Sequence, residues 1–146
     1  MDGNRYYEEI KLNETSVSKA RTVTEADVIN YAGVSGDFHP YHMDSTYANE
    51  SDFGGRIAHG LLVLSIAAAL EAAENEHAFL YGFDSMRFIA PTMLGDTIHV
   101  EAEVIAKTER SENFGMITKE FDVKNQDDET VLACEKLIMV ERNPEA

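Results

Sequence analysis

Hydrophobic and polar positions alternate cleanly over residues 97–106. Ile98, Val100, Ala102, Val104 and Ala106 share one side, and His99, Glu101 and Glu103 the other. A period of two is that of a strand with one buried face. Two further strand-like stretches follow at 114–123 and 130–140, reached through turn sequences at 111–113 and 125–128. Three strands joined by short turns predict an antiparallel meander. Upstream, residues 79–90 are also strand-like but change phase. Leu80, Met86, Phe88 and Ala90 keep one phase and Phe79, Tyr81 and Phe83 the other, which predicts a bulge or a strand covered on both faces. Residues 91–96 then form a turn.

Before these strands the period becomes helical. Residues 59–74 predict a helix that is apolar on nearly every side between Leu61 and Leu70, Ser65 excepted, and such a helix is expected to be buried all round. A shorter helix starts at Thr24, its N-cap, with Glu25 and Asp27 in the first turn; Asp27 stands where a capping box prefers Glu or Gln. Its apolar stripe is Val28, Ile29, Tyr31 and Ala32, and Gly33 or Gly36 ends it. Residues 16–23 predict a short strand, 44–49 a helical turn capped by Asp44, and 51–56 a flexible loop. In the polar segment 1–13, Tyr6, Tyr7, Ile10 and Leu12 are candidate anchors. A buried helix followed by a meander implies an α+β fold, a single domain over residues 1–146 with the sheet curled around the helix. This is the layout of a hot-dog fold, and its edges and outer face favour a homodimer or higher homo-oligomer.

Composition narrows the partners. Twelve basic against 27 acidic side chains leave a net charge of -15, which repels phosphate backbones and argues against nucleic acid. A high-salt source would also favour such a surface, because screening relieves self-repulsion. One cysteine, Cys134, rules out an intrachain disulfide framework and reads as a core thiol. No apolar signal region follows Met1 in Asp2-Gly3-Asn4-Arg5, and the run from Leu61 to Leu70 is too short to span a bilayer, so a cytoplasmic protein with no membrane partner is expected.

Candidate chemistry gathers in two places. Asp37 and His42 lie five residues apart around Pro40, which bars regular helix between them and pushes His39 toward extended geometry. An ionised Asp and a His near its own pKa can hold one water, withdraw its proton and return one elsewhere. The bland alternative is that Asp37 caps a turn and His42 closes a loop. One loop later, His59-Gly60 opens the long helix. There, unpartnered N–H groups and the macrodipole can stabilise a developing oxyanion, and the missing Cβ permits close approach. The alternative is a tight packing site. His39, His42 and His59 have a tolerable spacing for a metal, but extended geometry makes the first two diverge, so none is expected. Phe38, Tyr41, Met43 and Tyr47 are candidates for an acyl pocket. Arg56, Arg87, Lys107 and Arg110 are candidates for contact with an anionic carrier, against the blander role of surface charge.

With Ser35-Gly36-Asp37-Phe38-His39-Pro40-Tyr41-His42 in view, the chain resembles the MaoC-like family, the (R)-specific enoyl-CoA hydratases, whose hallmark reads S-G-D-x-N-P-x-H. The likeness continues through Asp44, Tyr47-Ala48, Ile57-Ala58-His59-Gly60, Arg87-Phe88-Ile89-Ala90-Pro91 and Leu94-Gly95-Asp96-Thr97. It implies a hot-dog homodimer that adds water reversibly to a trans-2-enoyl thioester to give an (R)-3-hydroxyacyl thioester. Asp37 and His42 would be catalytic, Gly60 would hold the thioester oxygen, and His59 and His39 would complete the substrate site. No metal or redox cofactor is implied; CoA or an acyl-carrier protein is the handle of the substrate. Two departures stand out: His39 replaces the family Asn, and Ala68 stands where a Ser is common. A thioesterase would instead rest on a carboxylate borne by the long helix, where only Glu71 qualifies, late in the run. A non-catalytic acyl-thioester binder is the third reading.

Overall fold

A computed structural model describes residues 3–72 and 74–146; the expectations for Met1 and Asp2 lie outside them. After a 3-10 turn at Tyr7–Glu9 come β1 (Thr15–Val17), β2 (Arg21–Thr22), α1 (Glu25–Ser35), α2 (Pro40–Met43), α3 (Ser45–Asn49) and α4 (Gly60–Glu71). The strands β3 (Ala78–Phe88), β4 (Thr97–Glu109), β5 (Phe114–Lys124) and β6 (Thr130–Glu141) complete the chain. The sheet runs β1-β4-β5-β6-β3, with β2 also paired to β4. Thus β4, β5 and β6 are the predicted meander, all antiparallel, and β3 returns to the far side of β6. The sheet packs around α4, giving the α+β hot-dog arrangement.

Inward alternation on β4 holds from Ile98 to Val104, and a register shift then leaves Ala106 half-buried. Ile98, Val100 and Ala102 meet Leu62, Val63, Ile66 and Ala67 of α4, with Phe121 and Leu132 from the neighbouring strands. Full burial of a large apolar side chain contributes about 1.5–3 kcal/mol. Cys134 lies in this core, where burial pushes its thiol up to about 11. A second cluster joins Tyr7 and Ile10 to Val104, Ile117 and Val140, so those two anchors hold the N-terminal segment, whereas Leu12 is exposed.

The long helix is not buried all round. Leu61, Ser65 and Ala69 form an exposed stripe, because the sheet wraps the other faces. The helix also ends early, at Glu71; Ala72 is an extended C-cap, and Ala73 lies outside the described residues. The strand predicted at 16–23 is split in two. Ser18 takes over the interruption, its Oγ accepting from the Val100 N–H at 2.8 Å. The phase change in β3 is a bulged strand, with register shifts at Leu80/Gly82 and Asp84/Arg87 and a positive φ of 53° at Ser85. In α1, Thr24 and Asp27 complete a capping box despite the shorter acid, and Gly36, at φ 80°, ends the helix. Val28 and Ala32 are buried but Ile29 is exposed. No helix among the described residues is long and apolar enough to cross a membrane.

Candidate active site

The segment expected to stay non-helical through His42 contains a helical turn, α2. Proline is unfavourable inside a helix, but at the first position its missing N–H is not needed and its φ already fits. His39 is the extended N-cap, and its Nδ1 accepts the Tyr41 N–H at 3.1 Å. This side chain is exposed, stacks on Tyr41 at 4.6 Å and does not line the cavity onto which Asp37 and His42 open. Its place is that of a cap for the turn that carries His42.

His42 is oriented from the opposite side. Its Nδ1–H donates to the Ile57 carbonyl at 2.8 Å, so the neutral ring keeps a lone pair on Nε2. That nitrogen is 3.8 Å from Asp37 Oδ2; the two side chains are 12% and 51% exposed. An oxygen at ordinary hydrogen-bond distance from each, about 2.8 Å, fits at the apex between them. Asp37 Oδ1 accepts the His39 N–H at 3.2 Å, which ties the carboxylate to the same turn. Burial holds the His42 pKa below the ordinary histidine value, and the neighbouring His59 and His39 act in the same sense. The Ile57 hydrogen bond and the Asp37 carboxylate oppose them.

His59 is 3% exposed. Its Nε2–H donates to the Asp37 carbonyl at 2.8 Å, and its ring stacks on His42 with centroids 3.8 Å apart. Among the described residues its Nδ1 is buried without a hydrogen-bond partner. Asp37, His42 and His59 bring possible ligand atoms within 4.8 Å of one another. The two rings lie within 27° of parallel, however, so their in-plane lone pairs run side by side and do not converge on one ion. His39 is absent from this cluster.

Gly60 is the first residue of α4. The helical ladder begins with the Val63 N–H donating to the His59 carbonyl, so the N–H groups of Gly60, Leu61 and Leu62 precede it. A Cβ at position 60 would sit 2.6 Å from Cε1 of Phe88. Glycine therefore lets the Phe88 ring lie directly against the helix start. Asp37, His42, His59 and Gly60 share one cavity of about 420 Å³, walled largely by apolar groups including Phe53 and Phe88.

The expected acyl-pocket residues are not its walls. Phe38, Tyr41, Met43 and Tyr47 do not line the cavity, and Phe53 and Phe88 do. Phe88 reads in the sequence as a strand residue in phase with Met86 and Ala90, and its place at the cavity comes from the bulged path of β3. Two of the four candidate cations hold the chain together instead. Arg56 donates to the His42 carbonyl at 2.7 Å and to Glu25 at 2.6 Å. Lys107 donates to the carbonyls of Tyr7 and Ile10 and lies over the Tyr7 ring. Arg110 sits over the ring of Tyr81.

A family model described as a MaoC-like domain matches residues 10–125. Over 106 residues the chain is 42% identical to Protein MaoC of Klebsiella aerogenes, covering 71% of this chain and 32% of that protein. It is 38% identical over 94 residues to an (R)-specific enoyl-CoA hydratase of Rhodospirillum rubrum, covering 64% and 65% of the two chains. The chain thus spans about a third of the first relative and just under two thirds of the second. Among solved structures, the unliganded R-hydratase PhaJ1 of Pseudomonas aeruginosa is similar with a TM-score of 0.79 at 31% identity, over 96% of this chain and 88% of that one. By the family model, the motif and the fold, this chain belongs to the MaoC-like domain family.

Proposed function

We propose that the protein is an (R)-specific hydratase/dehydratase that interconverts trans-2-enoyl-CoA and (R)-3-hydroxyacyl-CoA. The observation that carries this reading is the 3.8 Å approach of Asp37 Oδ2 and His42 Nε2 in the cavity that Gly60 also lines. A water held by both groups attacks the β-carbon of the enoyl thioester while His42 Nε2 takes its proton. Electron density moves to the thioester oxygen, where the Gly60 N–H stabilises it. The imidazolium then returns its proton to the α-carbon, so one water is added and the base is restored. Every step is a proton transfer or an addition, so no metal or redox cofactor enters; CoA or a carrier protein is the substrate's handle.

The working unit is a homodimer. Support comes from β3, an edge strand with exposed Tyr81 and Met86. Long apolar edges of this kind are normally paired or covered. The thioesterase reading loses its residue. Glu71 lies outside the main cavity, and both its carboxylate oxygens accept from lysines.

The test is hydration of crotonyl-CoA and longer enoyl-CoA substrates, followed as loss of enoyl-thioester absorbance. Asp37→Asn should lower kcat by about 10²–10⁴ with the fold intact. Near-normal turnover in that variant would sink the assignment, release of free CoA thiol would favour hydrolysis, and binding without turnover would favour a non-catalytic binder.

A further inference from the structure

The inward row of side chains on β5 and β6 contains an anomaly. Val123 pairs with Leu132, Phe121 with Cys134 and Ile117 with Ile138, but between the last two pairs Lys119 stands directly opposite Lys136. Like charges directly opposite one another are destabilising unless an anion intervenes. Glu71, the last residue of α4, supplies one: its two oxygens accept from Lys119 Nζ and Lys136 Nζ, each at 2.6 Å. Glu71 and Lys136 are 4% and 6% exposed, and Lys119 20%.

Two ammoniums against one carboxylate leave an excess of one positive charge. Arg5, which also lines this region, makes a two-pronged bridge to Glu14. The terminal carbonyls of α4 offset about half a charge, and the local sum stays positive. The protein as a whole carries -15, so this cluster runs against its own surface. An uncompensated charge out of water is costly, and among the described residues each ammonium uses one of its three donors, on Glu71, with Lys136 also 5.6 Å from the Phe121 ring centroid.

Both lysines and Glu71 open on a second cavity of about 250 Å³ that shares no lining residue with the first. Ile10, Ala68, Phe79, Leu80 and Ile138 form its apolar wall. Glu71 lies eleven residues beyond Gly60, about 16 Å along the helix at 1.5 Å per residue. We propose that this cavity is a binding site for a carboxylate on a short aliphatic chain, with Lys119 and Lys136 taking the headgroup and the apolar wall taking the chain. A single negative charge matches the excess, and the wall suits hydrocarbon better than a bare inorganic anion. The proposal does not depend on the hydratase reading.

Titration calorimetry with octanoate, octanol and inorganic phosphate tests it. Octanoate should bind saturably, one per chain, and octanol and phosphate at least tenfold more weakly. Lys119→Met leaves Lys136 and Glu71 as a neutral pair, and should weaken octanoate at least tenfold with an unchanged circular dichroism spectrum. Glu71→Gln adds one positive charge and should tighten binding; if that variant does not fold, Lys119→Met decides alone. The proposal is overturned by absence of saturable octanoate binding, by octanol or phosphate matching octanoate, or by undiminished binding in Lys119→Met.

Discussion

His59 lies flat against His42, with ring centroids 3.8 Å apart. Each ring donates to a different carbonyl, His59 to that of Asp37 and His42 to that of Ile57. The stack therefore links α2 to the start of α4, and the bond to Ile57 fixes which nitrogen of His42 faces the cavity. Two imidazoles in contact also resist carrying two positive charges. The arrangement keeps His42 available as a neutral base.

The pH dependence follows from that. Burial, aided by the stacked His59, sets the His42 pKa below the unfolded value of about 6.5. The acid limb of kcat/KM should accordingly fall below pH 6.5, and activity should decline as His42 takes up its proton. The same shift acts on stability: the folded pKa is depressed, so the unfolded chain binds more protons in the window between the two values. Stability present above about 6.5 is then lost as pH falls through the folded value. Melting temperatures across this range should fall more steeply for the wild type than for His42→Gln. Equal slopes would show that His42 titrates alike in both states.

The His39 cap makes a separable prediction. Loss of an N-cap acceptor costs about 1 kcal/mol, so His39→Ala should destabilise the protein by roughly that amount. It should also lower kcat by freeing the turn that holds His42. Asn can accept the same Tyr41 N–H, so His39→Asn should recover most of both losses. Chemical denaturation and hydration rates of the two variants check this; equal behaviour of Ala and Asn would exclude a capping role.

Gly60 and Phe88 should be coupled. The Cβ of Gly60→Ala would meet the Phe88 ring at 2.6 Å and displace the helix start from its cavity. Loss of an oxyanion donor costs about 10²–10³ in kcat. Gly60→Ala should lose activity on that scale. Combining it with Phe88→Ala, which removes the clash, should restore part of the loss relative to Gly60→Ala. A double variant no better than the single would mean that the ring does not set the helix position.

The edge of β3 predicts the assembly. Sedimentation velocity of the wild type should report a dimer, and Met86→Lys, which sets a charge on the exposed edge strand, should shift it toward monomer. A wild type that sediments as a monomer would remove β3 as an interface.

Much of the fold is local and was therefore legible. Alternation from Ile98 to Val104, the turns after β4 and β5, the Thr24 cap and the Gly36 terminus each depend on residues a few positions apart. The candidate site was legible as a set of residues, through the motif from Ser35 to His42 and the His59-Gly60 pair. Their separate roles were less so. His39 reads as a substrate contact beside Asp37, yet its Nδ1 is taken by the backbone N–H of Tyr41. Pro40 reads as a helix breaker, yet it opens a turn because only an interior proline loses a bond. Neither Phe53 nor Phe88 reads as a cavity wall in the sequence, since which aromatics wall a cavity depends on how β3 and the loop before α4 are brought together.

By itself the sequence determined the order and type of most elements, and it picked out Asp37 and His42 as the candidate acid/base pair and Gly60 at the mouth of α4. These follow from side-chain period, backbone freedom and capping, all read along a short stretch of chain. Only the tertiary structure decided that His59 stacks on His42, that Ile57 selects the His42 tautomer, and that Lys119 faces Lys136 across Glu71. Those relations join residues 15 to 65 positions apart. Strand register and helix docking set them, and both are outcomes of burying the whole apolar face at once.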